Sequence, residues 1–160
     1  MSEVWVVNAS PLILLARVDR LDLIDRLAPG VAVPDAVMSE IRAGQDRDAS
    51  AGRALTWAQS HRLADVPIVP AIEHWDLGAG ESQVIAHCLG RHRWAILDDL
   101  AARRCAAAHG IAVIGTLGVV LRAKRSRHIE HARPLVAALR AAGMFLDDAF
   151  MSSALATVNE

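Results

Sequence analysis

At 160 residues, with 53% hydrophobic and 22% charged side chains and a mean hydropathy of +0.27, the chain is too apolar for disorder and long enough to bury its own core. Seventeen Lys and Arg against eighteen Asp and Glu leave a formal charge of −1, which excludes a global basic field for nucleic acid but not a local patch. No apolar run approaches the ~20 residues of a membrane span, and the N-terminus lacks a signal peptide's basic segment and apolar core, so one soluble cytoplasmic domain over residues 1–160 is expected, with no membrane partner.

Val4–Val7 is short, apolar and β-branched, which predicts a buried strand ending at Asn8. Ser10 then offers a helix N-cap and Pro11 suits the first helical position, so a helix is expected to Val18. A second short helix starts at Asp19 or Asp22 and reaches Leu27, where Pro29-Gly30 stops it. Val31–Val33 reads as a strand and Asp35–Arg42 as a helix carrying Glu40. A polar loop, Gln45–Asp48, leads to a longer helix from about Ala49 to Leu63. Val66–Pro70, with two prolines, reads as an extended edge segment.

The glycine-rich entry Leu77–Ser82 opens a helix that carries Glu81 in its first turn and stops at Gly90. Trp94–Leu97 is a second apolar run ending in acid, at Asp98-Asp99. Helices are expected at Leu100–His109, Leu117–Arg125, Pro134–Ala142 and, capped by Asp147, to about Val158. The strand Ile111–Ile114 ends at Gly115-Thr116. Strands alternating with helices define an α/β protein with a central parallel sheet. Ligands of such sheets bind at the carboxyl ends of the strands.

That edge is where Asn8 and Asp98 fall, and neighbouring strands would bring Glu40 and Glu81 to it, with Asp99 close behind. Taken singly, each residue has a plainer reading: Asn8 as a turn or cap residue, Asp98 and Asp99 as caps, Glu81 as a helix-dipole partner, Glu40 as a solvated acid. Taken together they form a cluster of carboxylates, whose mutual repulsion a divalent cation relieves. Oxygen-only ligands favour Mg²⁺ or Mn²⁺ over zinc, and such a site can activate water against a phosphodiester.

With Val-Asn8-Ala-Ser10-Pro11-Leu-Ile, Gly78-Ala-Gly80-Glu81-Ser-Gln-Val-Ile-Ala, Ala95-Ile-Leu-Asp98-Asp99-Leu-Ala-Ala-Arg103 and Val113-Ile-Gly115-Thr116-Leu-Gly118 in order, the chain resembles the PIN-domain family. It looks closest to the prokaryotic VapC-like branch with a Ser-Pro-Leu-Ile start. The resemblance, which runs from about Val4 to Arg140, implies a three-layer α/β/α fold; residues from about 143 to 160, with Phe145, Leu146, Phe150, Met151 and Leu155, read from their own sequence as a helical extension packed on the domain or on a partner. The resemblance also implies a ribonuclease using Mg²⁺ or Mn²⁺, held by Asn8, Glu40, Glu81, Asp98 and an auxiliary Asp99. Glu40, Glu81 and Asp98 would be catalytic, with Ser10 and Thr116 as small polar neighbours. It further implies RNA as substrate, a small antitoxin as partner and a homodimer. The usual first-position aspartate is Asn8 here; an amide oxygen ligates a hard cation without bringing charge. The alternative is a weak or inactive PIN-fold protein that binds RNA or a partner.

Several further expectations follow from local sequence. Cys88 and Cys105 have no CxxC spacing and read as reduced helix thiols, and His87 is no metal partner for Cys88. Arg122, Lys124, Arg125, Arg127 and Arg133, with His128 and His131, form the densest basic stretch, with no exposed aromatic near it in sequence. The two histidines are spaced to share a helix face. Trp5, Trp57, Trp75 and Trp94 read as core or interface anchors. The apolar helices over Leu12–Leu27 and Ala49–Leu63 look richer than one core requires, which points to a partner surface.

Overall fold

The structure, a computed structural model, describes residues 3–160. Along the chain run β1 (Val4–Val7), α1 (Ala9–Arg17), α2 (Asp22–Leu27), β2 (Gly30–Pro34), α3 (Asp35–Ala43), α4 (Ala49–Gln59) and β3 (Arg62–Leu63). There follow α5 (Pro70–Glu73), α6 (Ala79–Cys88), β4 (Arg93–Ile96), α7 (Leu100–Ala108), β5 (Ala112–Ile114), α8 (Thr116–Arg125), α9 (Arg133–Ala141) and α10 (Asp148–Ala156). The strands form one sheet in the order β3-β2-β1-β4-β5, every neighbour parallel.

The alternation of strand and helix dictates this arrangement, because each parallel pairing needs a crossover, which helices here supply. Successive strand residues point to opposite faces, and both Val6 and Val7 are fully buried, so helices cover both faces of the sheet. This is the expected α/β architecture with a central parallel sheet. One contiguous core runs from Trp5 through Leu97 to Val158.

The register sets the functional edge. Val7 of β1 pairs with Ile96 of β4, and Ile96 with Ile114 of β5. The ladder continues one step beyond, with Asn8 N–H donating to Ile96 O at 3.1 Å and Leu97 N–H to Ile114 O at 2.9 Å. Asn8, Asp98 and Thr116 therefore leave the sheet side by side. The chain moves outward from β1 to β2 and β3, then returns to the other side of β1 for β4. The crevice between β1 and β4 is thus the point at which the strand order reverses, the place where α/β sheets bind ligands.

Several expectations are corrected. The long helix stops at Gln59, and Arg62–Leu63 is the outer edge strand, pairing with Val33 and Pro34. Val66–Pro70 joins no ladder; Gln83 instead clasps Val66, accepting from its N–H at 2.9 Å and donating to its carbonyl at 2.7 Å. A side chain thus does the work assigned to an edge strand. The apolar surplus of the helices is buried inside the chain: Leu12, Leu15, Leu23, Ile24, Ala54 and Ala58 are all enclosed. His128 and His131 lie in the non-helical connection between α8 and α9 rather than on one helix face.

Other expectations hold in detail. Asp147 caps α10, accepting from Phe150 N–H at 2.7 Å. α10 packs on the domain through Leu155, and Glu160 accepts from Ala132 and Arg133 N–H at 2.6 and 3.0 Å, which ties the segment after Gly143 to α9. Both cysteines are unpaired and buried, and burial pushes the Cys88 thiol up to about 12, leaving it unreactive. Among the described residues no helix is long and apolar enough to cross a membrane.

Candidate metal and nucleic-acid site

The strands end in register and the helices begin there, so several helix N-termini point at one place. Each offers unsatisfied N–H groups and a positive dipole end, which is why acids collect at this edge. Asp98 accepts from Thr116 N–H at 2.7 Å and from the Thr116 hydroxyl at 2.6 Å, at the start of α8. Ser10 Oγ donates to the same carboxylate at 3.3 Å. Ser10 is thus not the cap of α1; α1 begins at Ala9, and Asn8 holds the cap position without a side-chain cap bond. Thr116 is fully buried, so its two donors hold Asp98 in place.

Glu40 reaches across from α3 to α6, where Gly80 N–H donates to its Oε1 at 2.8 Å. This approach requires glycine: a Cβ on Gly80 would stand 2.8 to 2.9 Å from three atoms of the Glu40 carboxyl group. Glu40 Oε1 and Glu81 Oε2 both lie within 4 Å of the point a Gly78 Cβ would occupy. Burial first, and then the charge of Glu81, raise the Glu40 pKa against the lowering effect of the Gly80 N–H.

Asn8, Ser10, Glu40, Glu81, Asp98 and Asp99 all line one groove of about 1150 Å³. Asn8 is 3% exposed, and its Oδ1 is buried with no hydrogen-bond partner. Such an orphaned acceptor costs about 1–3 kcal/mol unless something meets it. Asp99 also caps α7, accepting from Ala102 N–H at 2.9 Å. Among the described residues, no three His, Cys, Asp or Glu side chains are gathered closely enough to hold a metal by themselves. The groove therefore brings the acids to one place without closing them into a cage.

In donor chemistry the set fits a hard cation. It is all oxygen, one member is an unmet buried carbonyl, and Glu81 accepts no hydrogen bond among the described residues. Asn8, Glu40, Glu81 and Asp98 are the residues that would hold it, and it would supply Lewis acidity and an activated water.

The raised Glu40 pKa has a testable sign. A carboxyl whose folded pKa lies above its unfolded value of 4.5 favours the folded state when protonated, and that contribution is lost as pH rises through the folded pKa. In EDTA, Glu40→Gln is expected to melt at the same temperature as the wild type at pH 4 and above it at pH 7. A melting difference that stays flat over this range would show that Glu40 carries no such penalty.

Sequence reasoning missed three features. Arg103 lines the groove, its guanidinium anchored by Nη1 donating to Leu97 O at 2.9 Å. The available signal was spacing, since Arg103 lies one helical turn beyond Asp99. No aromatic is near the basic stretch in sequence, but the fold brings them there: Arg122 stacks 4.6 Å over Trp94, and the exposed Phe145 and Phe150 share the groove with Arg122 and Arg125. Much of the remaining basic stretch is tied down, with Lys124 donating to Glu130 O, Arg125 to Thr157 and Arg133 to Glu160 O.

The fold and the acid-lined edge are those of nuclease-type proteins. A family model described as "DUF3368: PIN domain" matches residues 4–160, and the chain belongs to the PIN-domain family. PIN domains are in general nucleases that use divalent metal ions such as Mg²⁺ or Mn²⁺. Among solved structures, the chain is similar to PAE2754 from Pyrobaculum aerophilum, with a TM-score of 0.55 and 16% identity over 75% of this chain and 88% of that one. That likeness is one of fold. No curated protein matches the chain.

Proposed function

We propose that the protein is a metal-dependent ribonuclease that hydrolyses phosphodiester bonds at the groove lined by Asn8, Glu40, Glu81 and Asp98. The observation that carries this reading is the convergence of four oxygen-bearing side chains from four parts of the chain on one groove, one of them a buried acceptor with no partner. Glu40, Glu81 and Asp98 are the catalytic carboxylates in this reading. Asp99 is an auxiliary whose first task is capping α7, and Ser10 and Thr116 position Asp98.

When bound, Mg²⁺ or Mn²⁺ supplies charge stabilisation and a low-pKa water. The chain's own part is to hold the donors apart and oriented against helix N-termini. We further place it in the VapC-like branch on its Ser10-Pro11-Leu12-Ile13 start, as the toxin or toxin-like member of a toxin–antitoxin pair, with a small antitoxin and a second copy of the chain as partners.

The test is cleavage of a varied RNA pool with excess Mn²⁺, with Glu81→Gln as control. The wild type is expected to cut and the variant to fall by at least about 100-fold, ~2.7 kcal/mol in the barrier. RNA left equally intact by both proteins would overturn the nuclease reading. A second reading, a PIN-fold protein that binds RNA or a partner without cutting, rests on Asn8, which contributes no charge to the donor set.

A further inference from the structure

Four arginines line the groove, and three have evident structural occupations. Arg17 is paired with Asp48 at 2.8 Å, Arg122 covers Trp94, and Arg125 donates to Thr157. Arg103 is different. It is half-buried, lies on α7 directly after the Asp98-Asp99 turn, and forms no ion pair among the described residues. Its Nη1 is fixed on Leu97 O, the carbonyl just before Asp98. A Cβ on Gly115 would stand 2.8 Å from Arg103 Nη1 and 3.0 Å from Asp98 Oδ1, so the guanidinium and the carboxylate sit against the same bare glycine. Yet Asp98 is engaged by Thr116 and Ser10, not by Arg103.

A guanidinium has five N–H donors in a planar fork. The Leu97 carbonyl engages one nitrogen, and the fork is held rigid for whatever meets the others. A half-buried cation with no carboxylate partner, at the wall of an acid-lined groove, calls for a mobile anion. Its planar geometry suits two oxygens of a phosphate.

We propose that Arg103 is a phosphate subsite: its free donors receive the non-bridging oxygens of one phosphodiester of single-stranded RNA and hold that phosphate beside Asp98. This rests on the groove being an RNA site, but it is a statement about binding and stands whether or not the RNA is cut. Because Nη1 is anchored on Leu97 O, the phosphate is placed relative to the same turn that places Asp98.

The test is anisotropy of a labelled single-stranded RNA 12-mer in EDTA, where hydrolysis is prevented, titrated at salt concentrations from about 50 to 200 mM. One phosphate contact on a single strand contributes about 0.7 to the slope of log affinity against log salt. Arg103→Met is expected to lower the slope by about 0.7 relative to wild type, and Arg104→Met, its exposed neighbour outside the groove, to leave it unchanged. Arg103→Lys keeps a donor for Leu97 O and a charge but loses the fork; its slope should match wild type while affinity falls about five- to tenfold.

An unchanged slope in Arg103→Met overturns the subsite, as does unchanged affinity in Arg103→Lys should the methionine variant fail to fold. RNA that binds with the Arg103-dependent slope but is never cleaved when Mn²⁺ is added supports the subsite and removes the nuclease reading. RNA that is cleaved while the slope ignores Arg103 does the reverse.

Discussion

Asp98→Ala is expected to reduce RNA cleavage by about 1000-fold, roughly 4 kcal/mol of transition-state stabilisation, and to destabilise the fold as well. The two losses have different origins. Asp98 supplies a carboxylate to the groove, and it is also the acceptor for the N–H and hydroxyl of the fully buried Thr116. Removing it leaves those donors unmet, at about 1–3 kcal/mol. Asp98→Asn separates the effects. An amide oxygen still accepts the Thr116 N–H, and the hydroxyl can accept from the amide NH₂, so thermal unfolding should stay near wild type while cleavage remains lost. An asparagine variant that cuts RNA at the wild-type rate would show that the charge of Asp98 is not used.

Gly80→Ala is expected to produce the opposite dissociation, with the fold intact and the site spoiled. Alanine is the better helix residue by up to about 1 kcal/mol, and Gly80 has no left-handed φ that a side chain would strain. The new methyl would nevertheless stand 2.8 Å from both Glu40 oxygens. Glu40 is the flexible partner, so it would give way and lose the Gly80 N–H. Displacing a positioned group by ~1 Å can cost about 100-fold in rate, and that is the loss expected here, with a melting temperature equal to or above wild type. Cleavage assay and thermal unfolding of the same preparation check both halves. Undiminished cleavage would show that the Glu40–Gly80 contact is dispensable.

The two residues also show what was legible in the sequence. Asp98 was readable because a buried parallel strand is a continuous apolar run, so the first polar residue after Trp94–Leu97 marks the sheet edge without any knowledge of neighbours. Asn8 was readable for the same reason, and Glu81 because glycines before a helix announce close approach. Gly80's actual partner was not readable, since Glu40 comes from forty residues away and the contact is set by how α3 packs on α6.

The misread edge has a similar cause. Arg62–Leu63 is too short for any periodicity and follows a helix directly, whereas Val66–Pro70 has the composition of a strand but is held by a glutamine side chain. Exposed aromatics were sought near the basic stretch in sequence, while Trp94, Phe145 and Phe150 reach it only through the fold. Local chemistry predicted the elements; the contacts between distant segments came from packing.

The central strand pairs with one that the ribosome makes much later, Val7 with Ile96, and the two shortest hydrogen bonds to Asp98 come from Thr116. A nascent chain that has reached Glu81 but not β4 has Asn8, Glu40 and Glu81 without the opposite wall of the groove, and one that stops short of Thr116 lacks the main donors to Asp98. The groove is therefore assembled only once synthesis is well advanced, and shorter fragments do not contain it.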